Sequence, residues 1–80
     1  MKFHASIDVM PRTEISDPQG QTIERALPGI GFESVEEVRV GKRITLTVTA
    51  EDEQEARNIL NGACERFLAN PVIEDYEIHL

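Results

Sequence analysis

The chain has 80 residues, of which 40% are hydrophobic and 29% are charged, and this balance predicts one small globular domain over residues 1–80 rather than disorder. Its net charge of −7 argues against nucleic acid or an anionic membrane as the main partner. A single cysteine excludes an intramolecular disulfide, and no apolar run is long enough to span a bilayer. The start of the chain alternates rather than resembling a signal peptide, so we expect a reduced, cytoplasmic protein.

The first half of the chain predicts a strand, a helix and a second strand. Residues 2–10 alternate between apolar and polar side chains, which is typical of a half-buried strand. Asp17 is a suitable N-cap for a helix over residues 18–27, and Pro28 should end or kink that helix. After a glycine-containing turn, the segment "VEEVRV" at residues 35–40 predicts the second strand.

The second half predicts a strand, a helix and a final strand. The segment "RITLTVTA" at residues 43–50 alternates aliphatic residues with threonines, and a three-residue connection over 41–43 would keep the apolar faces of a hairpin together. An apolar stripe at helical spacing predicts a second helix, with Asp52, Glu53 and Glu55 at its start, where the helix dipole favours negative charge, and Asn70 in the left-handed position at its end. The segment "VIEDYEIHL", residues 72–80, predicts the last strand.

The order βαββαβ predicts an α+β, ferredoxin-like two-layer sandwich, with two helices on one face of a four-stranded antiparallel sheet. The first and third strands would be central. The opposite face would carry Ser6, Thr45 and Thr47, and would be either solvated or a docking surface. The predicted core consists of Ile7, Val9, Ile23, Leu27, Val38, Leu46, Val48, Ile59, Leu60, Phe67 and Ile78.

No arrangement of residues predicts an active site or a metal site within this chain. His4 and His79 are expected on the outer face of the sheet near the same end, but a metal site needs three or four ligands. Cys64 lies on the apolar stripe and is predicted to be a small core residue. No Ser-His-Asp set and no phosphate-binding glycine loop is present.

Two features leave alternatives open. Gly20 lies in the first turn of the first helix, where glycine costs about 1 kcal/mol relative to alanine. It would permit either close packing of the helix start on the sheet, which we favour, or an exposed N-terminus that binds an anion. Arg39, Lys42 and Arg43 form the densest basic cluster of the chain, and are either solvated turn residues or a patch that binds a partner.

Five segments, in this order and spacing, resemble the PurS family of small subunits of formylglycinamidine ribonucleotide synthetase. They are "DPQG", "IERAL", "GF", "VRVGK" and "LANPVIEDYEI", and they cover the chain from Asp17 to Ile78. In that family the first helix usually continues beyond the position of Pro28. The resemblance implies an enzyme that converts formylglycinamide ribonucleotide, glutamine and ATP to formylglycinamidine ribonucleotide, glutamate, ADP and phosphate.

The resemblance also implies the role of this chain. A glutaminase subunit would release ammonia, a synthetase subunit would use ATP and Mg²⁺, and this chain would bridge the two as a non-catalytic, homo-oligomeric subunit. The alternative is a free-standing ACT-like regulatory domain that binds a small effector. If the chain is the bridging subunit, we expect its docking residues to be Asp17, Gln19, Gly20, Arg39, Lys42, Asn70 and Tyr76.

Overall fold

A computed structural model describes residues 1–80 and contains a three-stranded antiparallel sheet with two α-helices. A 3₁₀ turn follows the first helix directly, and a π-helical turn follows the second. The elements, in chain order, are β1 Lys2–Pro11, α1 Pro18–Ala26, the 3₁₀ turn Leu27–Ile30, β2 Lys42–Thr49, α2 Glu53–Ala63, the π turn Cys64–Leu68 and β3 Glu74–His79. Neither helix has the length and hydrophobicity needed to cross a membrane.

Strand β1 lies in the centre of the sheet, with β2 and β3 antiparallel on either side. Ile7 of β1 faces Ile44 of β2 and Ile78 of β3, so one apolar row crosses the whole sheet. Because side chains alternate along each strand, this register gives the sheet one apolar face, on which Leu60 and Cys64 pack. The predicted central position of the first strand is therefore confirmed, and the threonines of β2 lie on the other face.

Helix α2 begins at the predicted cluster of acidic residues, but its end differs from the prediction. The side chain of Asp52 caps it by accepting a hydrogen bond from the Glu55 N–H at 2.8 Å. The π turn at its end adds a residue to one turn, which rotates Phe67 away from the apolar stripe. Phe67 is 87% exposed, so its predicted place in the core is wrong. The helix ends on extended backbone at Ala69, and Asn70 does not take the predicted left-handed conformation.

The predicted second strand and its hairpin do not form, so the sheet has three strands and not the four of a ferredoxin-like sandwich. The backbone N–H groups of Val38 and Val40, which a hairpin would need, bond to carboxylates of Glu24 and Asp17 instead. Glu37 has a positive φ of 57°, which also breaks the extended segment. Strand β2 corresponds to the third predicted strand. It therefore lies at an edge of the sheet and not in the predicted central position.

Helix α1 does not cover the sheet as the ferredoxin-like order would require. The chain measures 51 × 25 × 14 Å and has a radius of gyration of 16.2 Å, against about 12 Å for a compact chain of this length. Helix α1 ends at Ala26, in agreement with the predicted effect of Pro28, and Gly20 is its one buried residue. We call residues 18–35 the arm, because they project from the sheet.

The predicted core is confirmed only where β-strand residues face α2. Ile7, Val9 and Leu60 are buried, and the aliphatic residues of β2 and β3 are half-buried against them. Ile23 and Ile59 are 44% and 42% exposed, so their assignment to the core is wrong. The reason for Ile23 is that the arm lies away from the sheet. Leu27 and Val38 are half-buried outside the main core cluster.

Candidate functional site

Three of the predicted docking residues meet at the start of α1. Asp17 caps the helix, and its Oδ1 accepts a hydrogen bond from the Gly20 N–H at 3.1 Å. Its Oδ2 accepts from the Val40 N–H at 2.7 Å. These bonds, the one from Val40 first, hold the pKa of Asp17 below its ordinary value because they stabilise the ionised carboxylate. We call Asp17, Gly20, Arg39 and the backbone of residues 38–40 the α1 junction.

The side chain of Arg39 makes polar contacts within the chain at this junction. Its Nη2 donates to the carbonyl oxygens of Arg12 and Ile15 at 2.8 and 2.9 Å, and its Nε lies 4.0 Å from Asp17 Oδ2. Hydrogen bonds from a charged donor are stronger than those between neutral groups, whereas a long ion pair adds little to stability. Arg39 therefore fastens the loop after β1 to the segment that precedes β2.

Gly20 is required by close packing, although not against the sheet as we expected. A Cβ at this position would overlap the backbone carbonyl oxygen of Val38 and would lie 2.5 Å from Asp17 Oδ2. The Gly20 N–H is already bonded to Asp17, so this donor is not offered to an external anion. The structure thus supports the packing interpretation of this glycine.

Lys42 and Gln19 are the exposed neighbours of the junction. Both side chains line a groove of about 200 Å³, which continues over Val40 and Gly41 to Glu74 at the start of β3. Neither Lys42 nor Gln19 makes a side-chain hydrogen bond or an ion pair within the chain. These two residues are therefore available to a partner, unlike Arg39.

The structure does not bring Asn70 and Tyr76 into the α1 junction. Asn70 forms a tight turn in which its Oδ1 accepts from the Val72 N–H at 3.1 Å. Tyr76 donates its hydroxyl to Glu65 Oε1 at 2.8 Å, which joins β3 to the π turn. This bond to a carboxylate, together with burial, raises the pKa of Tyr76 to about 12.

Two residues that organise this region were missed by the sequence analysis. Glu24 Oε1 accepts a hydrogen bond from the Val38 N–H at 3.0 Å. Glu24 follows Asp17 by seven residues, so the two carboxylates lie on one side of α1, and this spacing was a usable signal. Arg12 donates from Nη2 to the Pro71 carbonyl oxygen at 2.6 Å and lies 3.6 Å from Asp75. Nothing in the sequence around Arg12 indicates that contact.

Large apolar side chains are exposed at two separate places. Ile30 and Phe32 on the arm are 69% and 55% exposed, and Val35 follows them. Phe67 and Val72 form the second place, at the end of the helical layer, and are 87% and 77% exposed. Clustered exposed hydrophobic residues are typical of protein–protein contacts. The surface of this chain is therefore richer in docking features than in polar groups aimed at a small substrate.

The two histidines lie on the outer face of the sheet, as predicted. His4 Nδ1 is 3.1 Å from Thr47 Oγ1, and His79 Nε2 is 3.0 Å from Asp8 Oδ2. No group of three or more His, Cys, Asp or Glu side chains is arranged to hold a metal ion. Cys64 is buried in the core, and this burial raises the pKa of its thiol.

A sequence model of PurS, described as phosphoribosylformylglycinamidine (FGAM) synthase, matches residues 4–80. The chain belongs to the PurS family. PurS of Thermotoga maritima, described as a subunit of phosphoribosylformylglycinamidine synthase, is 45% identical over 76 residues, which cover 95% of this chain and 93% of the relative. The PurS subunit of Mycobacterium leprae is 43% identical over 92% of this chain and 90% of its own length.

Solved structures of PurS proteins share the fold of this chain. The crystal structure of the T. maritima PurS subunit superposes with a TM-score of 0.91 at 43% identity, over 99% of this chain and 91% of that one. A chain of the T. maritima PurLQS structure gives the same score and identity, over 99% of this chain and 96% of that one. Methanocaldococcus jannaschii PurS, one of the subunits of formylglycinamide ribonucleotide amidotransferase, gives 0.84 at 37% identity, over 99% and 94%.

Proposed function

We propose that this chain is the non-catalytic small subunit of an FGAM synthase, a ligase of purine biosynthesis, and that it bridges the glutaminase and synthetase subunits to support ammonia transfer. The observation that carries the proposal is the sequence match to PurS over residues 4–80. The structural similarity to a chain of the T. maritima PurLQS structure supports it. The chemistry of the surface agrees with this role. Asp17, Arg39 and Tyr76 are engaged in holding the fold, whereas exposed apolar side chains remain for contacts.

The reaction itself belongs to the other subunits in this proposal. The synthetase subunit would bind ATP and Mg²⁺, the glutaminase subunit would release ammonia, and the complex would work in the cytoplasm. This chain would use no cofactor of its own. The alternative of a free-standing ACT-like regulatory domain is not favoured, because the family match and the structural likeness to PurS both cover nearly the whole chain.

A second copy of the chain is part of the same proposal. The arm projects from the sheet with Ile23, Ile30 and Phe32 exposed, and β2 presents an unpaired edge. A chain of 80 residues that covers only part of its apolar sheet face is expected to gain much of its stability from a partner. We therefore expect a homodimer or larger assembly in which the arm is covered.

The proposed docking residues divide into two kinds. Lys42 and Gln19 have free side chains on one groove and would contact a partner directly. Asp17, Gly20 and Arg39 would act indirectly, because they fix the position of that groove at the α1 junction. A further group, Asn70 and Tyr76, lies beyond the junction and would form a separate contact.

Reconstitution tests the proposal. Glutamine-dependent FGAM formation should require this chain in a mixture with the glutaminase and synthetase subunits. Synthesis from added ammonia should depend on the chain much less, because ammonia then does not have to pass from the glutaminase. The proposal would be rejected if glutamine-dependent synthesis proceeds at the same rate without the chain.

A further inference from the structure

The outer face of the sheet, opposite α2, carries a groove whose charge differs from that of the chain. The groove is open and has a volume of about 450 Å³. No Asp or Glu residue is among those that line it, although the chain has 15 acidic residues and a net charge of −7, and Asp8 lies next to it, bonded to the lining residue His79. Its polar lining consists of His4, Ser6, Arg43, Thr45, Thr47 and His79.

The strand register explains why these side chains converge. Ser6 in the central strand lies between Thr45 of β2 and His79 of β3, and all three point to the outer face. One step along the same face, His4 pairs with Thr47. Three hydroxyl-bearing side chains and two imidazoles thus lie side by side on the outer face of the three-stranded sheet.

Arg43 supplies a positive charge and forms no ion pair with a carboxylate of the chain. Its Nη2 donates to Ser6 Oγ at 3.2 Å, which holds the guanidinium over the groove. Asp8 lies opposite Arg43 in the register, but the Asp8 carboxylate is bonded to His79 at 3.0 Å and forms no ion pair with Arg43. The other N–H groups of the guanidinium have no partner within the chain.

Two more polar groups of the groove lining, His4 Nε2 and the Thr45 hydroxyl, have no partner in the chain. His4 uses Nδ1 in its contact with Thr47, which leaves Nε2 unbonded. The Thr45 hydroxyl makes no hydrogen bond to the chain. A guanidinium, a hydroxyl and an imidazole nitrogen are three kinds of group that can bind the oxygens of one anion together.

We propose that this groove binds a phosphate group, with Arg43 as the main anchor and with Thr45 and His4 as further donors. A tetrahedral phosphate offers oxygens in several directions, so it can accept hydrogen bonds from groups on both β1 and β2. A planar carboxylate offers only two oxygens and would leave part of this set unused. The inference rests on the outer face alone, and does not depend on the role proposed for the chain in FGAM synthase.

The same phosphate chemistry has two possible sources, which are inorganic phosphate and the phosphoryl group of a ribonucleotide. The open rim of the groove leaves room for a larger group attached to the phosphate. Titration with inorganic phosphate and with adenosine 5′-monophosphate, each at constant pH and ionic strength, distinguishes the two. Saturation at lower concentration with the nucleotide would assign the ribonucleotide source, and equal or lower concentrations for phosphate would assign the free ion.

The two histidines provide the measurement, because the chain has only these two and both line the groove. In the proton NMR spectrum of the full chain, the imidazole C–H signals of His4 and His79 should shift in a saturable way as phosphate is added. Arg43→Gln should weaken binding at least about tenfold, since it removes a charged hydrogen-bond donor. Thr45→Val keeps the shape of the side chain and removes the hydroxyl, and should weaken binding by a smaller factor.

Arg66→Gln is the matched control, because Arg66 is exposed on the π turn, in the layer on the other side of the sheet, and forms no ion pair. It should leave the titration unchanged. Amide spectra of each variant establish that the fold is retained. Signals that shift without saturating, that do not respond at all, or that respond equally in Arg43→Gln and in Arg66→Gln would overturn the proposal.

Discussion

The backbone carbonyl oxygen of Val38 occupies the space that a Cβ on Gly20 would fill. This contact places the first turn of α1 directly on an extended segment that is not part of any sheet. Asp17 completes the contact by bonding to both Gly20 and Val40. A glycine that weakens the helix locally is therefore what allows the helix to be attached to the rest of the chain.

Gly20→Ala should destabilise the chain despite improving helix propensity. Alanine favours a helix interior by about 1 kcal/mol over glycine, but a methyl group forced against backbone costs about 1–3 kcal/mol. We expect a net loss of up to about 2 kcal/mol in the free energy of unfolding, measured by urea denaturation at fixed protein concentration. Gly62→Ala in α2 is the control, because a Cβ there meets no atom within 4 Å. That substitution should stabilise the chain, and a stabilised Gly20→Ala would contradict the packing argument.

Asp17→Asn should lower stability at neutral pH, and the difference from the original chain should shrink in acid. The pKa of Asp17 lies below its ordinary value of 3.8, so its ionised form stabilises the fold above that pH. This contribution is lost as the pH falls through the folded-state pKa. Asparagine offers one acceptor oxygen, and its NH₂ group would face either the Val40 or the Gly20 N–H.

Urea midpoints measured from neutral pH to below 3.8 test this expectation for Asp17. Asp52→Asn provides the control, because Asp52 caps α2 through a single hydrogen bond and asparagine is an equally good N-cap. The Asp52 variant should stay close to the original chain throughout. A gap between Asp17→Asn and the original chain that persists unchanged into acid would show that the carboxylate charge is not the cause.

Much of this fold follows from periodicity, because β1, β2, α2 and β3 bury one face against each other. Residues of β1 alternate cleanly, and the apolar stripe of α2 meets them at Leu60 and Cys64. The segment 35–40 is rich in valine, as a strand would be, yet it forms no strand, since the carboxylates of Asp17 and Glu24 accept hydrogen bonds from its N–H groups. Hydrogen bonds between side chains and a distant backbone leave no periodic signal in the sequence. The sequence therefore could not show which groups would accept hydrogen bonds from this segment.

The candidate docking residues were predictable only in part for a related reason. A resemblance in sequence identifies positions that matter and does not say whether each one contacts a partner or holds the fold. Arg39 and Lys42 both belong to "VRVGK", but one guanidinium is turned inward onto two carbonyl oxygens and the other side chain is free. The extra residue of the π turn similarly places Phe67 on the surface and not in the expected core. The i+3 and i+4 spacing of apolar residues in the sequence could not reveal this change.

Tyr76 should titrate with a pKa of about 12, because its hydroxyl donates to Glu65 and ionisation would place two negative charges together. The chain has one tyrosine and no tryptophan, so ultraviolet absorbance follows this one phenol. Glu65→Gln removes the charge, and should return the midpoint towards the ordinary value of 10.0. The unfolded chain in denaturant supplies the reference, and equal midpoints in the folded and unfolded chains would contradict the contact.

The arm should be the surface through which copies of the chain associate. Light scattering should give a mass that is a multiple of 9.0 kDa for the original chain. Ile30→Asp combined with Phe32→Asp should raise the dissociation constant at least about tenfold, since burial of each large apolar side chain contributes about 1.5–3 kcal/mol. Val72→Asp, which changes an even more exposed apolar residue outside the arm, should have little effect. Association that survives in the arm variant would assign the interface to another surface.

Charge reversal at Lys42 and at Arg39 should have different consequences, although both residues were predicted to dock. Lys42 is exposed and unpaired, so Lys42→Glu should keep the fold and weaken docking on an acidic surface of another subunit. Rim charges act mainly on the association rate, and their effect falls as salt screens them beyond about 8 Å. Glutamine-dependent FGAM synthesis should therefore decrease, most clearly at low salt and at limiting concentration of the chain, while synthesis from free ammonia should decrease less.

Arg39→Glu should instead destabilise the chain itself, because it removes two hydrogen bonds to the carbonyl oxygens of Arg12 and Ile15 and places a second carboxylate beside Asp17. Urea denaturation of the isolated chain separates the two effects, since only the Arg39 variant should show a lower midpoint. Lys2→Glu makes the same charge change at the start of β1, away from the groove, and serves as the control for net charge. Equal losses of activity in Lys2→Glu and Lys42→Glu would assign the effect to overall charge, and an unchanged Lys42→Glu would remove this residue from the docking surface.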